Sequence, residues 1–173
     1  MNETAKVMPY VTNIEEAPAY WQVGILWVIL TSGAQTGGAY SLMWQLCPNK
    51  DSGPGPHFHD QDEQFFVLEG DITYRANGQE LKASTGSFVL IPRGTVHSFR
   101  VDSETATLLN SYTPAGFERM SMELGEPALT RTIPPADRPA IPGGFEKALK
   151  LFEEIGMHIV QEPDVLREGG SWG

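Results

Sequence analysis

The stretch Pro56-His57-Phe58-His59-Asp60-Gln61-Asp62-Glu63, running on through Gln64-Phe65-Phe66-Val67-Leu68-Glu69-Gly70, decides how the chain is read. Taken as a strand, it turns alternate side chains to opposite faces. His57, His59 and Glu63 then share one face, where two imidazoles and a carboxylate make a nitrogen/oxygen donor set for a divalent metal. A fourth donor lies in Gly86-x5-Pro92-x-Gly94-x2-His97. Pro92 and Gly94 mark a tight turn, and His97 begins the strand that leaves it. Pairing of that strand beside the first would complete a set of three histidines and one glutamate. The chain has four histidines, and three of them fall in these two segments.

The two segments resemble the paired motifs of the cupins, His57-x-His59-x3-Glu63-x6-Gly70 the first and Gly86-x5-Pro92-x-Gly94-x2-His97 the second. The match holds at every metal position. It departs at Asp51, where the first motif begins with glycine, and at Val101, where the second ends with asparagine; neither position is a ligand. Further pieces resemble the bacterial single-cupin flavonol dioxygenases, the quercetinases. They are Tyr20-Trp21, Thr36-Gly37-Gly38-Ala39-Tyr40-Ser41-Leu42, Gly55-Pro56-His57, Pro114-Ala115-Gly116-Phe117-Glu118 and a helix ending before Gly156.

The resemblance implies an all-β fold, an antiparallel jelly-roll barrel (double-stranded β-helix) with a C-terminal helical appendage. It also implies oxygenolytic cleavage of a flavonol such as quercetin by dioxygen, with release of carbon monoxide. One divalent transition metal per chain would sit on His57, His59, Glu63 and His97, and Glu63 would double as the base for the flavonol 3-hydroxyl. Nickel, cobalt, manganese, iron and copper all remain open. Two other readings stand beside this one: a different cupin reaction on an enol, diketone or sugar, and a metal-dependent small-molecule sensor. Aromatic residues without clustered Lys or Arg argue against phosphosugars, and no helix-turn-helix pattern supports a DNA-linked sensor. Cupin barrels often pair through their outer sheets, which implies a homodimer.

Composition agrees with one domain over residues 1–173, its barrel at about 20–112 and its extension, with the helix, at about 113–168. Hydrophobic residues make up 40% and charged residues 20%, a globular, soluble balance. Eighteen glycines and 13 prolines punctuate short segments, as in all-β chains. A net charge of -10 repels phosphate backbones, so nucleic acid is not an expected partner. A single cysteine, Cys47, excludes an internal disulfide and fits a reducing, cytoplasmic setting, with Cys47 itself a packing residue. The N-terminus lacks the pattern of a signal peptide, and the apolar run from Gly24 to Leu30 is far short of the roughly 20 residues that span a bilayer. The last five residues, Gly169-Gly170-Ser171-Trp172-Gly173, are set aside from the fold.

Along the chain, residues 20–31 read as one strand buried on both faces, 31–38 as a turn and 39–46 as a second strand. Strands follow at 57–69, 71–75, 79–82 and 87–91, with Asn77-Gly78 as a hairpin turn. His97 to Val101 and Thr105 to Tyr112 read as two strands separated by a turn at Asp102-Ser103-Glu104. A short helical turn is expected within 113–122, then an extended proline-rich segment. In the helix at 145–155, Phe145, Leu149 and Phe152 form the apolar stripe, widened by Leu151 and Ile155, and Gly156 ends it. His158 reads as structural. Phe65 and Phe99 share the parity of Glu63 and His97 and are candidates to line a substrate pocket, as are Tyr20 and Tyr112. Phe66 and Leu68 face outward.

Overall fold

The computed structural model describes residues 7–50, 53–139, 141 and 144–160. Asp51 and the last five residues lie outside them. The described elements are β1 (Ala19–Gln22), β2 (Ile25–Thr31), α1 (Gly33–Thr36), β3 (Ser41–Lys50), β4 (His57–His59), β5 (Asp62–Glu69), β6 (Asp71–Ala76), β7 (Gln79–Ser84), β8 (Phe88–Ile91), β9 (His97–Thr113), α2 (Arg119–Leu124), β10 (Glu126–Pro127), α3 (Phe145–Ile155) and β11 (Met157–Ile159). Every pairing is antiparallel, and the expected jelly-roll barrel with an appended helix is what forms.

The long strand β9 organises the barrel. Its first residues pair with β4 and β6, and its later ones with β3 and β5. Ala106, Leu108, Asn110 and Tyr112 alternate into the interior, where they meet Met43, Phe65, Val67 and Tyr74. The expected turn at 102–104 does not form. Cross-strand partners satisfy its polar side chains: Thr73 Oγ1 donates to Asp102, and Ser103 Oγ accepts from the Asp71 N–H. The strand therefore continues through a polar triplet that reads locally as a turn.

Other boundaries differ from the sequence reading as well, and β3 runs on to Lys50 instead of ending at Leu46, because Cys47 and Pro48 still pair with β9. Residues 20–31 form a hairpin rather than one strand, with Val23 and Gly24 at φ 46° and 75° between Gln22 and Ile25, which pair. Two consecutive positive φ values suit the right-handed strand twist, but a β-branched residue seldom adopts one, so Val23 concealed the turn. The turn expected at 31–38 contains the short helix α1. The stretch expected as one strand from His57 breaks at Asp60-Gln61 into β4 and β5. There the Asp60 N–H donates to Gly156 O and Gln61 Nε2 donates to Ile155 O, which turns the chain from its pairing with β11 to its pairing with β8.

β2 is buried on both faces, as expected. Ile25, Trp27 and Ile29 enter the barrel core, while Leu26 and Val28 pack outside it against Ala17, Ala19 and Ala128. The segment covering that outer layer is fastened by Arg131, whose guanidinium donates to the carbonyls of Ile14, Glu15 and Ala17.

The helix at 145–155 forms, but its buried face is Ala148, Leu151, Phe152 and Ile155. Phe145 is 63% exposed and Leu149 51% exposed, which corrects the expected stripe. The i, i+3, i+4, i+7 set from Ala148 is the true helical face; large residues at 145 and 149 drew the reading one position round. Gly156 follows at φ 70°, and a Cβ there would come 2.4 Å from Asp60 Oδ2, so both conformation and space require glycine. His158 lies in β11 and stacks on Phe58 at 4.6 Å, a packing role. Cys47 is wholly buried, and burial pushes its thiol pKa up, as fits a packing residue.

Candidate metal centre

β4 and the start of β9 pair directly, His57 opposite His97. Their rings are 4.3 Å apart, and His59 lies 5.0 Å from His97 and 5.6 Å from His57. One nitrogen from each of the three falls within 4.8 Å of the others, and all three residues are buried. The side chain of Glu63, on β5, enters from the next strand position. Its Oε2 is 3.1 Å from His59 Nε2 and 2.9 Å from His97 Nε2.

The other nitrogen of each ring is already committed. Nδ1 of His57 lies 2.8 Å from Gly55 O, that of His59 2.9 Å from Gln61 O, and that of His97 2.8 Å from Thr95 O. A carbonyl only accepts, so each Nδ1 carries the hydrogen and each neutral ring turns the lone pair of Nε2 inward. The Glu63 carboxylate adds lone pairs at the same place. Lone pairs do not converge at 3 Å without positive charge between them. His97 Nε2 has no aligned hydrogen-bond partner despite its closeness to Glu63. A divalent ion fits this donor set, with each imidazole oriented by a backbone carbonyl as is usual for metal-ligating histidine.

The electrostatics follow from burial and proximity. Burial, and next the charge of His97, push the pKa of His57 down to about 3. Burial alone would lower His97 as well, but the Glu63 carboxylate reverses this and raises it. For Glu63, burial acts upward, while without a metal a proton shared onto Nε2 of His59 or His97 supplies a donor and a positive neighbour that hold it well below the usual carboxylate range. Glu63 is thus an ionised carboxylate shielded from bulk solvent.

Glu63 Oε1 faces away from the histidines and accepts from Tyr112 Oη at 2.5 Å and from Asn110 Nδ2 at 3.0 Å. Burial, and then the nearby carboxylate, push the Tyr112 hydroxyl pKa well up, so it keeps the proton it donates. Asn110 Oδ1 in turn accepts from Gln45 Nε2 at 2.9 Å. Phe117 closes this side, its ring 5.2 Å from His59.

The structure therefore brings together His57, His59, Glu63, His97 and Tyr112. Phe65 and Phe99 join Tyr74 in an aromatic group, with centroids 4.9 to 6.1 Å apart, and none of these three makes a ring contact with the histidines. Tyr20, in β1, packs against the barrel core opposite Trp27. Sequence reasoning missed Asn110, Gln45 and Phe117. The available signal for the first two was polarity on the inward parity, Asn110 between Leu108 and Tyr112 and Gln45 between Met43 and Cys47. Phe117 offered no signal beyond its place in a segment resembling a known one.

Residues 42–112 match the cupin domain family. Over that stretch, less than half of the chain, the barrel is similar to a cupin domain. A quercetin 2,3-dioxygenase of Bacillus subtilis (strain 168) is 28% identical to this chain over 155 residues, covering 89% of this chain and 45% of the relative. Another quercetin 2,3-dioxygenase, from Aspergillus japonicus, is 28% identical over 137 residues, covering 75% of this chain and 39% of the relative. The chain thus spans less than half the length of these two curated relatives. Among solved structures, an RmlC-like cupin from Shewanella frigidimarina superimposes with a TM-score of 0.54 at 16% identity, over 62% of this chain and 93% of that one, a likeness of fold. Among the described residues, no helix is long and apolar enough to cross a membrane.

Proposed function

We propose that this protein is a cupin enzyme, that it holds one divalent first-row metal on His57, His59, His97 and Glu63, and that it cleaves the heterocyclic ring of a flavonol such as quercetin with dioxygen, releasing carbon monoxide. The observation that carries the reading is the inward convergence of three imidazoles, each fixed at Nδ1 by a carbonyl, beside an ionised carboxylate. Likeness to two quercetin 2,3-dioxygenases supports the flavonol as substrate.

The bound metal would supply Lewis acidity that lowers the pKa of the flavonol 3-hydroxyl. Nickel, cobalt, manganese, iron and copper all suit imidazole and carboxylate donors. Glu63 accepts the hydroxyl proton on Oε2, the oxygen that Tyr112 and Asn110 leave free. Phe117 and Tyr112 exclude water on one side. Phe65, Phe99 and Tyr20 are the further apolar residues we assign to the flat ligand, whose rings prefer offset or edge-on aromatic contacts.

The same reading places the protein in the cytoplasm as a homodimer. An apolar outer face on β5 and β8, where Phe66 is 41% and Phe88 63% exposed, supports pairing. Sedimentation of the purified protein measures the mass directly.

The deciding experiment mixes the metal-loaded protein with quercetin in air and follows flavonol absorption together with carbon monoxide. Many turnovers with one carbon monoxide per quercetin support the dioxygenase. A stoichiometric spectral shift alone identifies a binding module instead, and turnover without carbon monoxide identifies another cupin reaction.

A further inference from the structure

The two oxygens of Glu63 are treated differently by the fold. Oε1 takes two donors from β9, the Tyr112 hydroxyl and the Asn110 amide, whereas Oε2 takes neither of them and lies within 3.1 Å of two histidine nitrogens. Asn110 and Tyr112 are two residues apart on one strand, so both point to the same side, and Tyr112 pairs directly across from Glu63.

The orientation of the Asn110 amide is itself fixed. Gln45 Nε2, from β3, donates to Asn110 Oδ1. Flipping the amide would set Asn110 Oδ1 against the carboxylate and its Nδ2 against the Gln45 amide nitrogen, replacing two attractions by two repulsions. Tyr112 is held separately by its ring, which lies flat on Phe117 with centroids 4.2 Å apart. Gln45, Asn110 and Tyr112 are all buried, and a buried carboxylate with two donors on one oxygen has little freedom to rotate.

We infer that Asn110 and Tyr112 are positioning residues that pin Glu63 through Oε1, so that Oε2 alone is offered to the metal and to the substrate proton. This inference rests on the metal reading above. It gives β9 a second task besides carrying His97. It also gives Tyr112 the role of aiming a ligand rather than lining a pocket. Without the two donors the carboxylate can rotate and present either oxygen, or both, to the cation. The number and angle of its contacts then change even though the imidazoles remain.

Cobalt(II) reports this, because its visible absorption depends on coordination number and geometry. The test compares the full chain with Tyr112→Phe, Asn110→Ala and Glu63→Gln, each loaded with cobalt(II). Tyr112→Phe keeps the ring on Phe117 and removes only the hydroxyl; Asn110→Ala tests the other donor should the first variant fold poorly. Both variants should keep about one cobalt per chain, carry an absorption spectrum altered from wild type, and lose about 10- to 100-fold in kcat with quercetin KM little changed, the usual scale for groups that orient metal ligands. Spectra of Tyr112→Phe and Asn110→Ala that superimpose on wild type overturn the inference while leaving the metal reading intact. A Glu63→Gln spectrum identical to wild type overturns it too, since Glu63 would then be no ligand. Wild-type protein that takes up no cobalt overturns the metal reading and this inference together.

Discussion

Phe117 lies on Tyr112 with the two ring planes 10° from parallel, so the segment after the barrel forms part of the wall around the histidines. Glu118 fastens that segment. Its two carboxylate oxygens accept from the N–H groups of Gly33 and Gly116, at 2.8 and 2.7 Å, so α1 and the loop before α2 are joined through one buried side chain. The extension is therefore part of the site's construction.

Phe117→Ala is expected to cost about 3–5 kcal/mol, the range for truncating a buried phenylalanine. Urea unfolding of the metal-free protein measures it. A loss below about 1 kcal/mol would mean that the segment contributes contact without stability.

The outer helix separates by face. Leu151→Ala should cost about 2–5 kcal/mol, because Leu151 is buried against the barrel. Leu149→Ala should stay within about 0.5 kcal/mol, as expected of a half-exposed side chain. Equal effects at the two positions would contradict the observed rotation of the helix.

What could be read from the sequence followed from how local each cause is. His57, His59, Glu63 and His97 were legible because motif spacing and strand parity act within a few residues. So was the hairpin at Asn77-Gly78, where both residues take positive φ as the dipeptide suggests. Val23 was not, since its turn contradicts its own propensity and is imposed by the pairing of β1 with β2. The triplet at 102–104 misled for the opposite reason: its polar side chains found partners on a strand some 30 positions away in sequence. Asn110 and Gln45 belong to the same class. Their meaning lies in a contact between β3, β9 and β5 that no local pattern encodes.

Acid should weaken one strut beside the site. Asp62 takes the Arg93 side chain at 2.8 Å and the Arg93 N–H at 2.9 Å, tying β5 to the turn before His97. These bonds hold the Asp62 pKa down, from 3.8 to about 2. A carboxylate with a depressed folded-state pKa binds fewer protons folded than unfolded between those values, so its contribution is present above about pH 4 and fades toward about pH 2. Exposure keeps the effect small. Asp62→Asn should lower the urea midpoint slightly at pH 7, and the gap from wild type should close over that acid window. A gap that is constant with pH would remove the ion pair from the account.

Glu63→Gln is the sharpest test of the proposed chemistry. The carboxylate is ionised and held below the ordinary range, which makes it a weak base on its own. A weak base suffices if the metal lowers the pKa of the flavonol hydroxyl from the other side. Glutamine preserves the shape and an oxygen that can accept from Tyr112, but it removes the negative charge and the proton acceptor. The three imidazoles stay anchored through Nδ1, so the variant should keep most of its metal by elemental analysis. Its kcat should fall at least about 100-fold, the lower end for loss of general acid–base catalysis. Raising quercetin should not restore the rate, because the loss falls on the chemical step rather than on binding. Near-normal kcat with normal metal content would remove Glu63 as the base. A variant that loses its metal outright would instead make Glu63 chiefly a ligand, with the proton going to another acceptor.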